Sequence, residues 1–127
     1  MRHFLLCAAA LGAFVLNAGP ADAMNYQNIT AQAAREKMLS GAPLRIVDVR
    51  TPAEFAQGHI PQAVNVPLDA IEAGKIPFIM ADKSATYLIY CRSGRRSEAA
   101  ASILANRGWQ SVYNFGGIPD WPYEIVR

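Results

Sequence analysis

Short apolar runs alternate along this chain with stretches of helical spacing, and glycine or proline marks most of the junctions. Residues 28–30 suit a short strand that ends on a cap, since Thr30 precedes a run of good helix formers over 31–39 that Ser40-Gly41 stops. Ala42-Pro43 turns the chain into an apolar strand over 44–49, interrupted only by Arg45 and Asp48. Thr51 and Pro52 open a short helix over 53–57 that Gly58 ends. An extended crossing over 59–67 holds a short strand near 63–66, and 68–73 reads as a brief helix closed by Gly74. Residues 76–82 read as either a second short helix or an irregular apolar stretch. Strand 86–90 follows, then a polar loop, then a helix from Ser97 to about Arg107 in which Ala100, Ile103 and Leu104 share a face. Residues 112–115 form a last strand, Gly116-Gly117 turn the chain, and 118–123 close tightly around Trp121. Strands alternating with helices predict an α/β fold: a mainly parallel central sheet flanked by helices, with ligands met at the carboxyl ends of its strands.

One such strand end carries chemistry. Tyr87-Leu88-Ile89-Tyr90 is apolar, aromatic and β-branched, as a buried strand requires. Cys91 comes next, then Arg92, Ser93, Gly94, Arg95, Arg96 and Ser97, all small or cationic. A cysteine where a strand gives way to a helix meets unpaired backbone N–H groups and the positive end of the helix dipole. These donors and the three arginines are expected to favour thiolate over thiol. The thiolate is the nucleophilic form, and the same donors would hold an anionic substrate or leaving group. The plainer alternative is a buried structural cysteine beside a basic helix start. It gives no reason for three arginines and a glycine within the next five residues.

Composition narrows the setting. A chain of 127 residues predicts one folded domain. Net charge is +2, and the basic residues form no stripe outside the loop, which argues against nucleic acid as a partner. Residues 1–23 have the pattern of a cleavable signal peptide. Arg2 and His3 precede an uncharged apolar run over 4–16, short for a bilayer span, and Ala21-Asp22-Ala23 supplies the small-x-small cut. The expectation is a periplasmic or secreted domain over 24–127 with no stable membrane anchor after cleavage. An uncleaved anchor and a start at Met24 are the alternatives. Cleavage would remove Cys7 and leave Cys91 as the only cysteine, so no internal disulfide could form. The two histidines are His3 and His59, and no cluster has metal-ligand spacing.

Taken together, the residues resemble the rhodanese family. The resemblance spans roughly Asn28 to Tyr123. Its pieces are Ile46-Val47-Asp48-Val49-Arg50, Glu54-Phe55, Gly58-His59-Ile60-Pro61, Ala63-Val64-Asn65-Val66-Pro67, the loop from Cys91 to Arg96, Gly108-Trp109, and Asn114-Phe115-Gly116-Gly117 with Trp121. One departure is Gln62, where the family often has glycine. The short chain and its leader are similar to single-domain periplasmic rhodaneses, including the phage-shock type. The resemblance implies a three-layer domain and sulfur transfer without a cofactor. Cys91 would take the outer sulfur of thiosulfate or a similar donor, carry it as a persulfide, and pass it to cyanide, a small thiol or a protein thiol. Arg92 and Arg96 would hold the dianionic donor, Arg95 would do the same or face water, and Ser93 and Gly94 would give backbone donors. Ser97 is expected to cap the following helix.

The remaining motif residues have structural readings. Asp48 and Arg50 suit a pair that ties loops together, Glu54 a partner for Arg50 or a solvated charge, and His59 a turn-fixing hydrogen bond rather than a general base. Trp109 and Trp121 suit packing. A cysteine phosphatase or arsenate reductase is the rival enzyme, but its pattern of cysteine, five residues and arginine would need arginine at Ser97; Arg96 comes one place early. The rival outside enzymology is a rhodanese-like binding or sulfur-carrier module.

Overall fold

The computed structural model describes residues 25–127, so the leader and its cut after Ala23 lie outside the described residues. Five strands and four helices follow in order: β1 (Gln27–Asn28), α1 (Ala31–Leu39), β2 (Arg45–Asp48), α2 (Pro52–Gln57), β3 (Val64–Asn65), α3 (Leu68–Glu72), β4 (Thr86–Cys91), α4 (Arg95–Asn106) and β5 (Ser111–Gly117). Short 3₁₀ turns cover Phe78–Met80 and Ile118–Asp120. The sheet order is β1-β5-β4-β2-β3, and every pairing between these strands is parallel. This is the α/β architecture the alternation predicts.

The central strand explains the layers. Side chains alternate across a strand, so an apolar run without polar interruption packs on both faces. Tyr87, Ile89 and Cys91 join Val47 and Val49 of the neighbouring strand segment in a core with Ile71 of α3 and Ala100, Ala101 and Leu104 of α4. Leu88 and Tyr90 point the other way, with Ile46, Ala34 of α1, Ile60, Phe115 and Trp121. Both tryptophans are buried, as expected of packing residues. Their indole N–H groups are satisfied by backbone carbonyls, Trp109 at Met80 (2.9 Å) and Trp121 at Glu124 (3.1 Å).

Caps fall where the polar residues announce them. Thr30 Oγ1 accepts the Ala33 N–H at 3.0 Å. Residues 76–82 become irregular around the single 3₁₀ turn, with Met80 buried and Phe78 exposed. Among the boundaries that differ from the sequence reading, two lie at the loop. Helix α4 begins at Arg95 rather than Ser97, because Gly94 takes a left-handed conformation (φ 92°) that ends the loop early. Strand β5 runs on through Gly116-Gly117, which had read as a turn.

Candidate active site

Cys91 is the last residue of β4 and pairs with Gly117. The register with β5 shifts between Ile89 and Cys91, a bulge-type irregularity of the kind that re-aims side chains beside functional sites. It is fixed by Asn114, whose Oδ1 accepts the Gly116 N–H at 3.1 Å and whose Nδ2 donates to Asn28 Oδ1 at 2.9 Å. The loop lies directly on Gly117. A Cβ there would collide with the Arg92 carbonyl and stand 3.1 Å from Ser93 Cα. Gly117 therefore earns its place by close approach, since its own φ is ordinary.

The loop turns its donors onto sulfur. The Gly94 N–H donates to Cys91 Sγ at 3.0 Å, and Ser97 Oγ lies 3.4 Å from the same atom. Ser97 Oγ is also 3.1 Å from the Gly94 carbonyl, so its one hydrogen has two acceptors to serve. Burial pushes the Cys91 thiol up, but the Ser97 hydroxyl and the N–H groups of Ser97, Gly94 and Ser93 outweigh it and bring the thiol below its ordinary value. The sequence expectation of a favoured thiolate agrees in direction. Its leading causes are the hydrogen bonds within the loop, one of the sources the sequence offered, rather than the arginine charges.

The arginines are dispersed around that loop. Arg92, Ser93 and Arg95 are exposed, while Arg96 is half-buried. Arg96 faces Glu54, with Nη1 to Oε1 at 2.8 Å and Nη2 to Oε2 at 3.0 Å. Cys91 itself is 0% exposed, so in this conformation no solvent-borne donor touches Sγ. Ser97 stands inside the first turn of α4 and does not cap it; Gly94 occupies the cap position. Sequence position had suggested Arg50 as the partner of Glu54. Arg50 instead binds Asp48, through Nε and Nη2 at 2.7–3.1 Å, and donates to the Gly58 carbonyl at 2.7 Å. Asn65 Nδ2 reaches the carbonyls of Asp48 and Arg50, so this pair ties adjacent loops together as its spacing suggested. His59 Nδ1 lies 3.0 Å from the Phe55 carbonyl and its ring stacks on Phe55, a turn-fixing arrangement away from the sulfur.

Three features escaped the sequence reading. They are the Ser97 contact to Sγ, the seat of the loop on Gly117, and the Arg96–Glu54 pair. Only the first had a local signal, a serine one helical turn past Gly94. The other two join residues far apart in sequence. A cleft of about 500 Å³ adjoins the loop, lined by Val49, Thr51, Pro52, Leu68 and Arg96 among others. Among the described residues, no group of three or more His, Cys, Asp and Glu side chains is placed to hold a metal.

This geometry has known counterparts. The family model for the rhodanese-like domain matches residues 30–123. The thiosulfate sulfurtransferase PspE of Escherichia coli K12 is 38% identical over 81 residues, covering 64% of this chain and 77% of that protein. A sulfurtransferase of Allochromatium vinosum is 38% identical over 96 residues, covering 73% of this chain and 85% of its own. The solved structure of a rhodanese with anions from E. coli superposes with a TM-score of 0.61 at 34% identity, covering 67% of this chain and 99% of that one. With the parallel sheet, the cysteine at the end of its central strand and the loop after it all in the matched region, this chain belongs to the rhodanese-like domain family.

Proposed function

We propose that the chain is a sulfurtransferase that moves a sulfane sulfur from thiosulfate, or a donor like it, to cyanide or a thiol through a persulfide on Cys91. The observation that carries this reading is the Gly94 N–H held 3.0 Å from Cys91 Sγ at the carboxyl end of β4. A sulfur so held is stabilised as thiolate, and later as the terminal anion of a persulfide, by the same donors. In the first step the thiolate attacks the outer sulfur of thiosulfate. The sulfur–sulfur bond breaks, and sulfite leaves with the electron pair. In the second step the acceptor attacks the outer sulfur of the persulfide, which restores the Cys91 thiolate. Arg92 and Arg95 meet the anionic donor at the rim, and Ser93 and Gly94 act through their backbone. Because Sγ is buried in this conformation, side chains over it must move aside for the donor to enter, while the Gly94 N–H stays on the sulfur.

The test is mass spectrometry of the purified protein after thiosulfate treatment. The expected result is a gain of one sulfur atom that is lost on adding cyanide and absent in Cys91→Ser. No gain in the parent protein would overturn the reading. A gain that neither cyanide nor small thiols discharge would favour a sulfur carrier serving a protein thiol, a second reading that the burial of Cys91 supports. Phosphatase chemistry fits less well, because Arg96 stands one place early for that loop and its guanidinium is occupied by Glu54.

The same reading places the protein outside the cytoplasm after removal of residues 1–23. The leader pattern supports this. A mature chain beginning at Met24 is expected on N-terminal sequencing.

A further inference from the structure

The Arg96–Glu54 pair has a use that a surface ion pair would not. Helix α2 is six residues long and has no fully buried side chain, so core packing does little to fix it. What fixes it is a capping box at its start. Thr51 Oγ1 accepts the Glu54 N–H at 3.2 Å, and Glu54 Oε1 accepts the Thr51 N–H at 2.9 Å and the Thr51 hydroxyl at 3.1 Å. The carboxylate is thus oriented by its own helix before it meets Arg96. Its two oxygens then take both terminal nitrogens of the guanidinium in a fork-to-fork arrangement. The Arg96 contact, helped by the Thr51 groups and opposed by burial, holds the Glu54 carboxyl down at about 2.

The charge consequence falls on the loop. Among the described residues the ion pairs are Arg50 with Asp48 and Arg96 with Glu54, so Arg92 and Arg95 belong to neither. Of the three arginines after Cys91, one is already neutralised by a rigidly held carboxylate. Arg96 and Thr51 also line the cleft beside the loop, together with Asp69 and Glu72.

We propose that Glu54 is a positioning residue that sets the anion preference of the site: by engaging Arg96 it lowers the affinity for dianionic donors relative to monoanionic ones. The proposal deepens the sulfurtransferase reading, on which its meaning for turnover rests. Its test reads binding alone, so the two stand or fall separately.

The experiment measures calorimetric binding of thiosulfate, a dianion, and methanethiosulfonate, a monoanion, to the Cys91→Ser protein, which cannot accept sulfur. Glu54→Gln keeps an acceptor for the capping box and removes the charge. Thiosulfate affinity is expected to rise roughly two- to fivefold, the yield of releasing one partly screened charge, and to depend more steeply on salt. The monoanion should gain less than about twofold, because it feels half the charge. Glu54→Asp keeps the charge on a shorter stem and should gain less than Glu54→Gln. In an Arg96→Gln background, Glu54→Gln should produce no gain at all. A merely structural Glu54 would move both anions alike, or weaken both. Equal gains, unchanged thiosulfate binding, or no binding by any of the proteins would each overturn the proposal. Failure of the parent protein to load sulfur would overturn the sulfurtransferase reading and leave this one standing.

Discussion

Strands β2 and β4 are neighbours, and each ends in a corner that carries arginine, yet the two corners are built to opposite ends. After β2, Asp48 and Arg50 are both buried, with the guanidinium donating to the carboxylate and to the Gly58 carbonyl. After β4, Arg92 and Arg95 are exposed and the buried group is a cysteine under backbone N–H groups. A charge closed off with its partner answers for shape, because removing one member strands the other in a poor solvent. A charge left open answers for what arrives from outside, because water already solvates it. The same residue type therefore reads as scaffold in one corner and as recognition in the other, and burial of its partner decides which.

The largest effect should come from opening the closed corner. Asp48→Ala leaves the Arg50 guanidinium buried without its carboxylate, which costs about 3–5 kcal/mol of stability. The matching deletion in the open corner, Arg95→Ala, should stay within about 0.5 kcal/mol. Urea denaturation checks both through the midpoint at constant slope. Similar losses for the two would dissolve the contrast between the corners.

A smaller effect should come from removing one donor beneath the open corner. Ser97→Ala takes away the hydroxyl that helps hold the Cys91 thiol below its ordinary value. The sign is fixed: thiolate carries the reactivity, so losing a donor to it raises the thiol and moves the midpoint of the pH–rate profile for alkylation by iodoacetamide to higher pH. At neutral pH the rate should fall by roughly tenfold, the worth of one hydrogen bond to a charged group, and the two profiles should converge at alkaline pH. An unmoved midpoint would mean the backbone N–H groups suffice without Ser97.

The difference between the corners also governs what the sequence could reveal. The parallel sheet was legible because Leu88, Ile89 and their neighbours leave no polar position, which only a strand buried on both faces tolerates. Cys91 and its loop were legible because Gly94 and the small and cationic residues lie within six positions of one another. The Asp48–Arg50 tie was legible for the same reason, being two residues apart. Partnership across the chain was not. Glu54 lies four residues from Arg50 and 42 from Arg96, and nearness in sequence pointed to the wrong arginine. Gly117 looked like a turn because nothing local reveals a carbonyl packed against its Cα. Conformational freedom and close approach use the same residue, and only the fold separates them.

Gln62 sharpens the comparison from the scaffold side, with the smallest expected effect. It is the one non-glycine residue among those described with a left-handed backbone, at φ 71°, in the crossing that follows the Arg50–Gly58 contact. This gives a physical reason for glycine at that position in the family: a Cβ in that conformation costs about 1–2 kcal/mol. Glycine would remove the strain and return part of the gain through the greater freedom of its unfolded chain, about 0.4–1 kcal/mol. Gln62→Gly should therefore stabilise the protein by roughly 0.5–1 kcal/mol, seen as a higher urea midpoint at unchanged slope. Because Gln62 lies four residues past Gly58, which Arg50 holds, and lines none of the cleft beside the loop, the alkylation profile of Cys91 should keep its midpoint while stability rises. A stabilised protein with a shifted Cys91 profile would show that strain in the crossing reaches the loop, and that the two corners act as one unit.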